Sequence, residues 1–183
     1  VEAIAVMPFP DDAASVRATA ANPAAFAVLY RRHVDDVYRY LLVRSGADEA
    51  EDVMAETFLA AFKAVGSYRG SGTVKAWLIG IARRKAIDAY RSRRPTEPIE
   101  AVSRIADPTR VEDLAIQRVE IAQVAGALAR IGSERAEALR LRYFGGLSCA
   151  QIAPLMNRSE AAVKMLVHRG LRDLREELKE RER

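Results

Sequence analysis

Apolar residues recur at three- and four-residue steps in segment after segment of this chain, and that spacing restricts it to packed amphipathic helices. The clearest stripe is Val163, Leu166, Val167, Leu171, Leu174 and Leu178, with Ser159 placed to cap the helix that carries it. A short helix over Cys149 to Met156 precedes it, opened by Ser148 and Gln151 at capping-box spacing and closed by Asn157. The same period runs Phe26, Leu29, Tyr30, Val34, Val37 and Leu41 behind an Asn22-Pro23 start. It returns in Ala50, Val53, Met54, Phe58, Ala61, Phe62 and Val65, between a cap expected at Asp48 and a stop at Gly66, and again in Val74, Trp77, Leu78 and Ile81. Only 10 glycines and 7 prolines occur in 183 residues, and they fall mainly between these stripes. The predicted class is all-α.

Proline spacing divides the chain into two small helical domains. Pro95, Pro98 and Pro108 punctuate a stretch carrying Glu97, Glu100 and Asp107 but no apolar stripe, so residues 95–111 read as a flexible linker. The first domain then spans 22–94. The second, 112–183, adds helices over Leu114 to Arg130 and Ser133 to Phe144 before a Gly145-Gly146 break. Pro8 and Pro10 with no periodicity around them mark 1–21 as a loose arm.

A net charge of +4 says little, but its distribution says more. Between Asp48 and Glu56 stand five acids, Asp48, Glu49, Glu51, Asp52 and Glu56, without a base. Between Arg69 and Arg94 stand eight bases, Arg69, Lys75, Arg83, Arg84, Lys85, Arg91, Arg93 and Arg94, against Asp88 alone. Two surfaces of opposite sign point to two different partners. The basic segment is interleaved with Tyr68, Trp77 and Tyr90, the combination that holds single-stranded nucleic acid, although Trp77 falls on the buried stripe.

Two capped helices joined by Asn157-Arg158 have the form of a helix-turn-helix, the alternative being a plain αα-hairpin. The stripe of the second helix leaves Glu160, Ala161, Lys164, Met165, His168 and Arg172 outward, with Arg158 and Arg169 near the DNA backbone. Enzyme chemistry finds little footing. Asp48, Asp52 and Glu56 share one helix face, but His33 and His168 lie elsewhere, and there is neither a phosphate-cradling glycine motif nor a nucleophile beside a base. The expectation is a non-catalytic protein without a cofactor. The single Cys149 and the lack of a long apolar run or signal pattern fit a cytoplasmic setting.

Three ordered segments resemble the small two-domain extracytoplasmic-function group of bacterial sigma factors. AEDVMAETFLAAF, from Ala50 to Phe62, is similar to that family's region-two helix that docks on the RNA polymerase clamp. WLIGIARRKAIDAYRSRR, from Trp77 to Arg94, is similar to its promoter-melting, minus-ten-reading helix. Ala138 to Leu178 resembles its region-four module, which reads the minus-thirty-five element. The resemblance implies a transcription initiation factor with core polymerase (clamp and flap) and promoter DNA as partners, often held by an anti-sigma protein. It assigns polymerase contacts to Asp52, Glu56 and Phe58. It assigns minus-ten contacts to Tyr68, Arg69, Arg84, Lys85, Asp88 and Arg91, with the 67–73 loop capturing a flipped base. Arg158, Ser159, Glu160, Ala161, Lys164, His168 and Arg169 would face the minus-thirty-five element. Ala55, Arg84 and Gln151 depart from the family's usual glutamine, asparagine and glutamate. The second domain taken alone leaves open a stand-alone helix-turn-helix repressor or activator.

Overall fold

The computed structural model describes residues 12–70, 72–92 and 111–181. The linker expected over 95–111 lies outside these residues except for Val111, as do residues 1–11 of the expected arm. Among the described residues there is no strand. Eight α-helices are described: α1 (Asp12–Ala21), α2 (Phe26–Ser45), α3 (Ala47–Ala64), α4 (Val74–Ser92), α5 (Val111–Arg130), α6 (Ser133–Leu139), α7 (Cys149–Met156) and α8 (Glu160–Arg181). Short 3-10 turns over Pro23–Ala25 and Val65–Ser67 lead into α2 and out of α3.

Residues 12–21 are not a loose arm. They form α1, anchored by buried Val16, Ser15 and Thr19, with the Thr19 hydroxyl donating to the Ser15 carbonyl at 2.8 Å. The Asp12 carboxylate clasps α2, contacting Arg32 and lying 2.9 Å from Nε2 of the buried His33. Asn22 does start the next turn, its Oδ1 accepting from the Ala24 amide at 3.0 Å. Asp48 does not cap α3. Gly46, at φ +85°, turns the chain and α3 begins at Ala47, which leaves Asp48 and Glu49 in the first turn at the positive end of the dipole.

In the first domain, Leu29, Val37, Tyr40 and Leu41 of α2 meet Ala50, Val53, Phe58 and Ala61 of α3 and Val74, Leu78, Ile79 and Ile81 of α4. Each large side chain buried this way contributes about 1.5–3 kcal/mol of transfer free energy. Leu141, Leu147, Ile152 and Val163 of the second domain belong to the same cluster. A second cluster holds Leu128, Ala136 and Leu139, and Val43 of α2 enters it. The two domains therefore pack directly on one another, an arrangement that helical period cannot reveal. The helix expected over Ser133 to Phe144 is α only to Leu139 and continues as a wider π turn over Arg140–Phe144, closed by the Gly145 amide donating to the Arg140 carbonyl.

Candidate nucleic-acid interfaces

The helix-turn-helix is set by local hydrogen bonds. The Gln151 amide donates to Ser148 Oγ at 3.2 Å and the Ser148 amide donates to Gln151 Oε1 at 2.8 Å, completing the capping box. Asn157 takes the left-handed conformation, φ 52° and ψ 51°, which an asparagine tolerates and which ends α7. Ser159 Oγ then accepts from the Ala162 amide at 3.2 Å and opens α8.

Val163 points fully inward, while Leu166, Val167, Leu171 and Leu174 are half-buried. Glu160, Ala161, Lys164, Met165, His168, Arg169 and Arg172 are all exposed, and so are Arg158 and Ser159 in the turn. One departure is Leu178, placed on the stripe by spacing but exposed near the end of α8. Lys164 Nζ lies 2.7 Å from Glu160 Oε1, and this hydrogen bond, with the charge behind it, raises the ammonium above its ordinary pKa. Arg158 reaches Glu134 at 2.5 Å. Both pairs are exposed, so an incoming phosphate or base edge can compete for either cation.

The loop before α4 is built on glycine. Gly70 and Gly72 sit at φ +72° and +88°, where a side chain would strain the backbone. Tyr68 is half-buried, its ring 5.2 Å from Trp77 and its hydroxyl donating to the Gly72 carbonyl at 3.2 Å. Thr73 Oγ1 accepts from the Ala76 amide at 3.2 Å and starts α4. Arg69 is exposed on this loop. Along α4, Arg84, Asp88 and Arg91 are exposed at helical spacing and so share a face, while Tyr90 is 74% exposed. Lys85 is half-buried and bridges to Glu56 of α3 at 3.4 Å.

On α3, Asp52 and Glu56 are exposed. Phe58 is not available for a contact. It is 5% exposed, packed edge-on against Tyr30 at 4.8 Å and Phe26 at 6.4 Å, because it lies on the same stripe as Val53 and Ala61. The apolar surface beside the acids is instead Leu59, 54% exposed, and Phe62, 41% exposed. Leu59 was detectable in the sequence, since it falls off the buried period. Phe62 was not, because spacing places it on that period. No group of three or more histidine, cysteine or acidic side chains able to hold a metal occurs among the described residues, and no described helix is long and apolar enough to cross a membrane.

Comparison with known proteins assigns both halves. The family model described as Sigma-70 region 2 matches residues 29–96, and that described as Sigma-70, region 4 matches residues 121–174. The chain is 34% identical over 164 residues to the ECF RNA polymerase sigma factor BldN of Streptomyces coelicolor, covering 86% of this chain and 62% of that protein. It is 32% identical over 168 residues to the ECF RNA polymerase sigma factor SigL of Mycobacterium tuberculosis, covering 89% of this chain and 94% of SigL. Among solved structures, CnrH in complex with the cytosolic domain of CnrY is similar at a TM-score of 0.72 and 25% identity, over 92% of this chain and 97% of CnrH. The Bartonella quintana sigma factor RpoE, solved with the anti-sigma factor NepR, shares the fold at a TM-score of 0.64, 23% identity, and 84% and 96% coverage. With its two helical domains matching regions 2 and 4 in order, the chain belongs to the extracytoplasmic-function group of RNA polymerase sigma factors.

Proposed function

We propose that the chain binds core RNA polymerase and directs it to promoters, reading the minus-ten element with the first domain and the minus-thirty-five element with the second. The observation that carries this is the exposed face of α8. Lys164, His168 and Arg169 stand outward on a helix whose start is fixed by the Ser159 cap, the geometry that brings a helix N-terminus into the major groove. Lys164 and His168 would read base edges, with small Ala161 permitting close approach, and Arg158 and Arg169 would hold phosphates.

In the first domain, Arg69, Arg84, Lys85 and Arg91 would track the melted strand, with Tyr68 and Tyr90 offering faces for stacking and Asp88 an acceptor for a base amino group. The polymerase contact would be Asp52 and Glu56 with Leu59 and Phe62, charges beside an exposed apolar patch. The factor would act in the cytoplasm by binding and without catalysis. An anti-sigma partner is part of this proposal: CnrH was solved with the cytosolic domain of CnrY, and RpoE, which shares the fold, with the anti-sigma factor NepR. A stand-alone regulator is not favoured, because a region-2 match covers the first domain.

Fluorescence anisotropy on a labelled promoter fragment tests the reading. Sequence-specific binding that needs core polymerase is expected. Equal specificity and affinity without core would favour the stand-alone regulator.

A further inference from the structure

Glu137, on α6, is 8% exposed, and burying a carboxylate is unfavourable unless charges and donors surround it. Most of its partners come from the other domain. Oε1 accepts from the Tyr40 hydroxyl of α2 at 3.0 Å and from Arg83 Nε of α4 at 3.0 Å, and Oε2 lies 3.4 Å from Arg44 Nε of α2. Within its own domain Glu137 has only the looser Arg140, at 3.8 Å, among its described ion pairs. Arg140 sits at the start of the π turn, and burial pulls its guanidinium below the ordinary value. Tyr40 is fully buried, so its hydroxyl depends on Glu137 in turn.

Smaller contacts also cross the domain boundary. Gln151 Nε2 donates to Thr73 Oγ1 at 2.9 Å, tying the region-four capping box to the threonine that ends the 67–73 loop. Gly80 lets Leu155 seat against α4, since a Cβ there would lie 3.0 Å from Leu155 Cδ2.

The packed form conflicts with the span the function requires. A compact chain of 183 residues has a radius of gyration of about 16 Å and is roughly 40 Å across. Elements named for positions minus ten and minus thirty-five lie about 25 base pairs apart, which is about 85 Å of duplex at about 3.4 Å per base pair. We propose that Glu137 is the latch of a closed off-state: its carboxylate binds Tyr40, Arg44 and Arg83 across the domain boundary and holds the two DNA-reading domains too close to engage both elements. The inference rests on the promoter reading above. Opening exchanges these contacts for water, and the latch stays shut until polymerase or DNA competes for the freed surfaces.

The test uses the full chain with Cys149→Ala and spin labels at exposed Arg31 and Arg175, one in each domain. The parent should give one narrow distance distribution. Glu137→Gln leaves three guanidinium groups around a neutral amide, so the distribution should broaden and lengthen while the helical circular dichroism stays unchanged. Should Glu137→Gln not fold, Arg44→Gln with Arg83→Gln reads the same question from the other domain. A folded variant that keeps the parent's distances overturns the latch.

A Gly80→Cys, Leu155→Cys pair in the same background then locks the closed form. Oxidised protein should give at least tenfold less promoter-specific transcript than the same protein after reduction, and equal yields overturn the off-state. Distances that open with Glu137→Gln while unlocked protein directs no transcription overturn the promoter reading and uphold the latch as a feature of the fold.

Discussion

Replacing Tyr40 by phenylalanine removes one oxygen and isolates what the domain boundary contributes. The ring stays in the core, so apolar burial is conserved, and only the 3.0 Å hydrogen bond to Glu137 is lost. A hydrogen bond to a charged group contributes about 1.5–3 kcal/mol. Unfolding entropy of about 2.1 cal/mol/K per residue over 183 residues makes each kcal/mol worth roughly 2–3 °C, so Tm should fall by about 4–8 °C. The pH dependence carries a second signature. Burial first, and then the Glu137 charge, raise the Tyr40 pKa well above its ordinary 10.0, so the folded state keeps a proton that the unfolded state releases. Stability from this group is complete below pH 10 and is lost as pH rises towards the folded pKa. The gap between parent and Tyr40→Phe should therefore narrow above about pH 10. Differential scanning calorimetry across pH 7 to 11 measures both. A single transition within 1 °C of the parent at neutral pH would refute the account of this hydrogen bond.

Other substitutions separate the proposed surfaces. Lys164→Ala should cost about 1–3 kcal/mol at one upstream promoter position and relax preference there, whereas Arg169→Ala should weaken all upstream sequences alike and lower the salt slope by about one. A salt titration over a panel of single-base changes distinguishes them, and no effect from either variant would leave α8 as a packing helix. Leu59→Asp with Phe62→Asp should weaken core polymerase binding by at least about tenfold, the scale of an interface anchor near 1.4 kcal/mol, with circular dichroism unchanged. Equal co-purification with core would move the polymerase contact off this face.

What the sequence made legible was local. The Ser148-Gln151 box, the Ser159 cap and the outward face of α8 each depend on residues within four positions of one another, where spacing and geometry are the same information. The first helix escaped because no apolar stripe marks it. Its described hold on the domain includes one valine, two buried hydroxyl residues and the Asp12 clasp, and the clasp joins residues 20 and 21 positions apart. Phe58 shows two sequence signals in conflict, since resemblance assigned it a contact and period assigned it to the core. Period prevailed because a side chain beneath Tyr30 and Phe26 has no surface left to offer. The domain boundary was invisible for the opposite reason. Tyr40 and Glu137 are 97 positions apart, and neither stands out in its own segment. Arg83, counted among the bases of α4, is drawn out of the proposed nucleic-acid face by the same carboxylate.

Run-off transcription with purified core polymerase decides whether this chain directs initiation at promoters. Templates would be taken from transcript starts mapped after forced expression. Transcripts of defined start should require the chain and should diminish when either the minus-ten or the minus-thirty-five element is scrambled. Transcripts unchanged by omitting the chain, or insensitive to both elements, would contradict it.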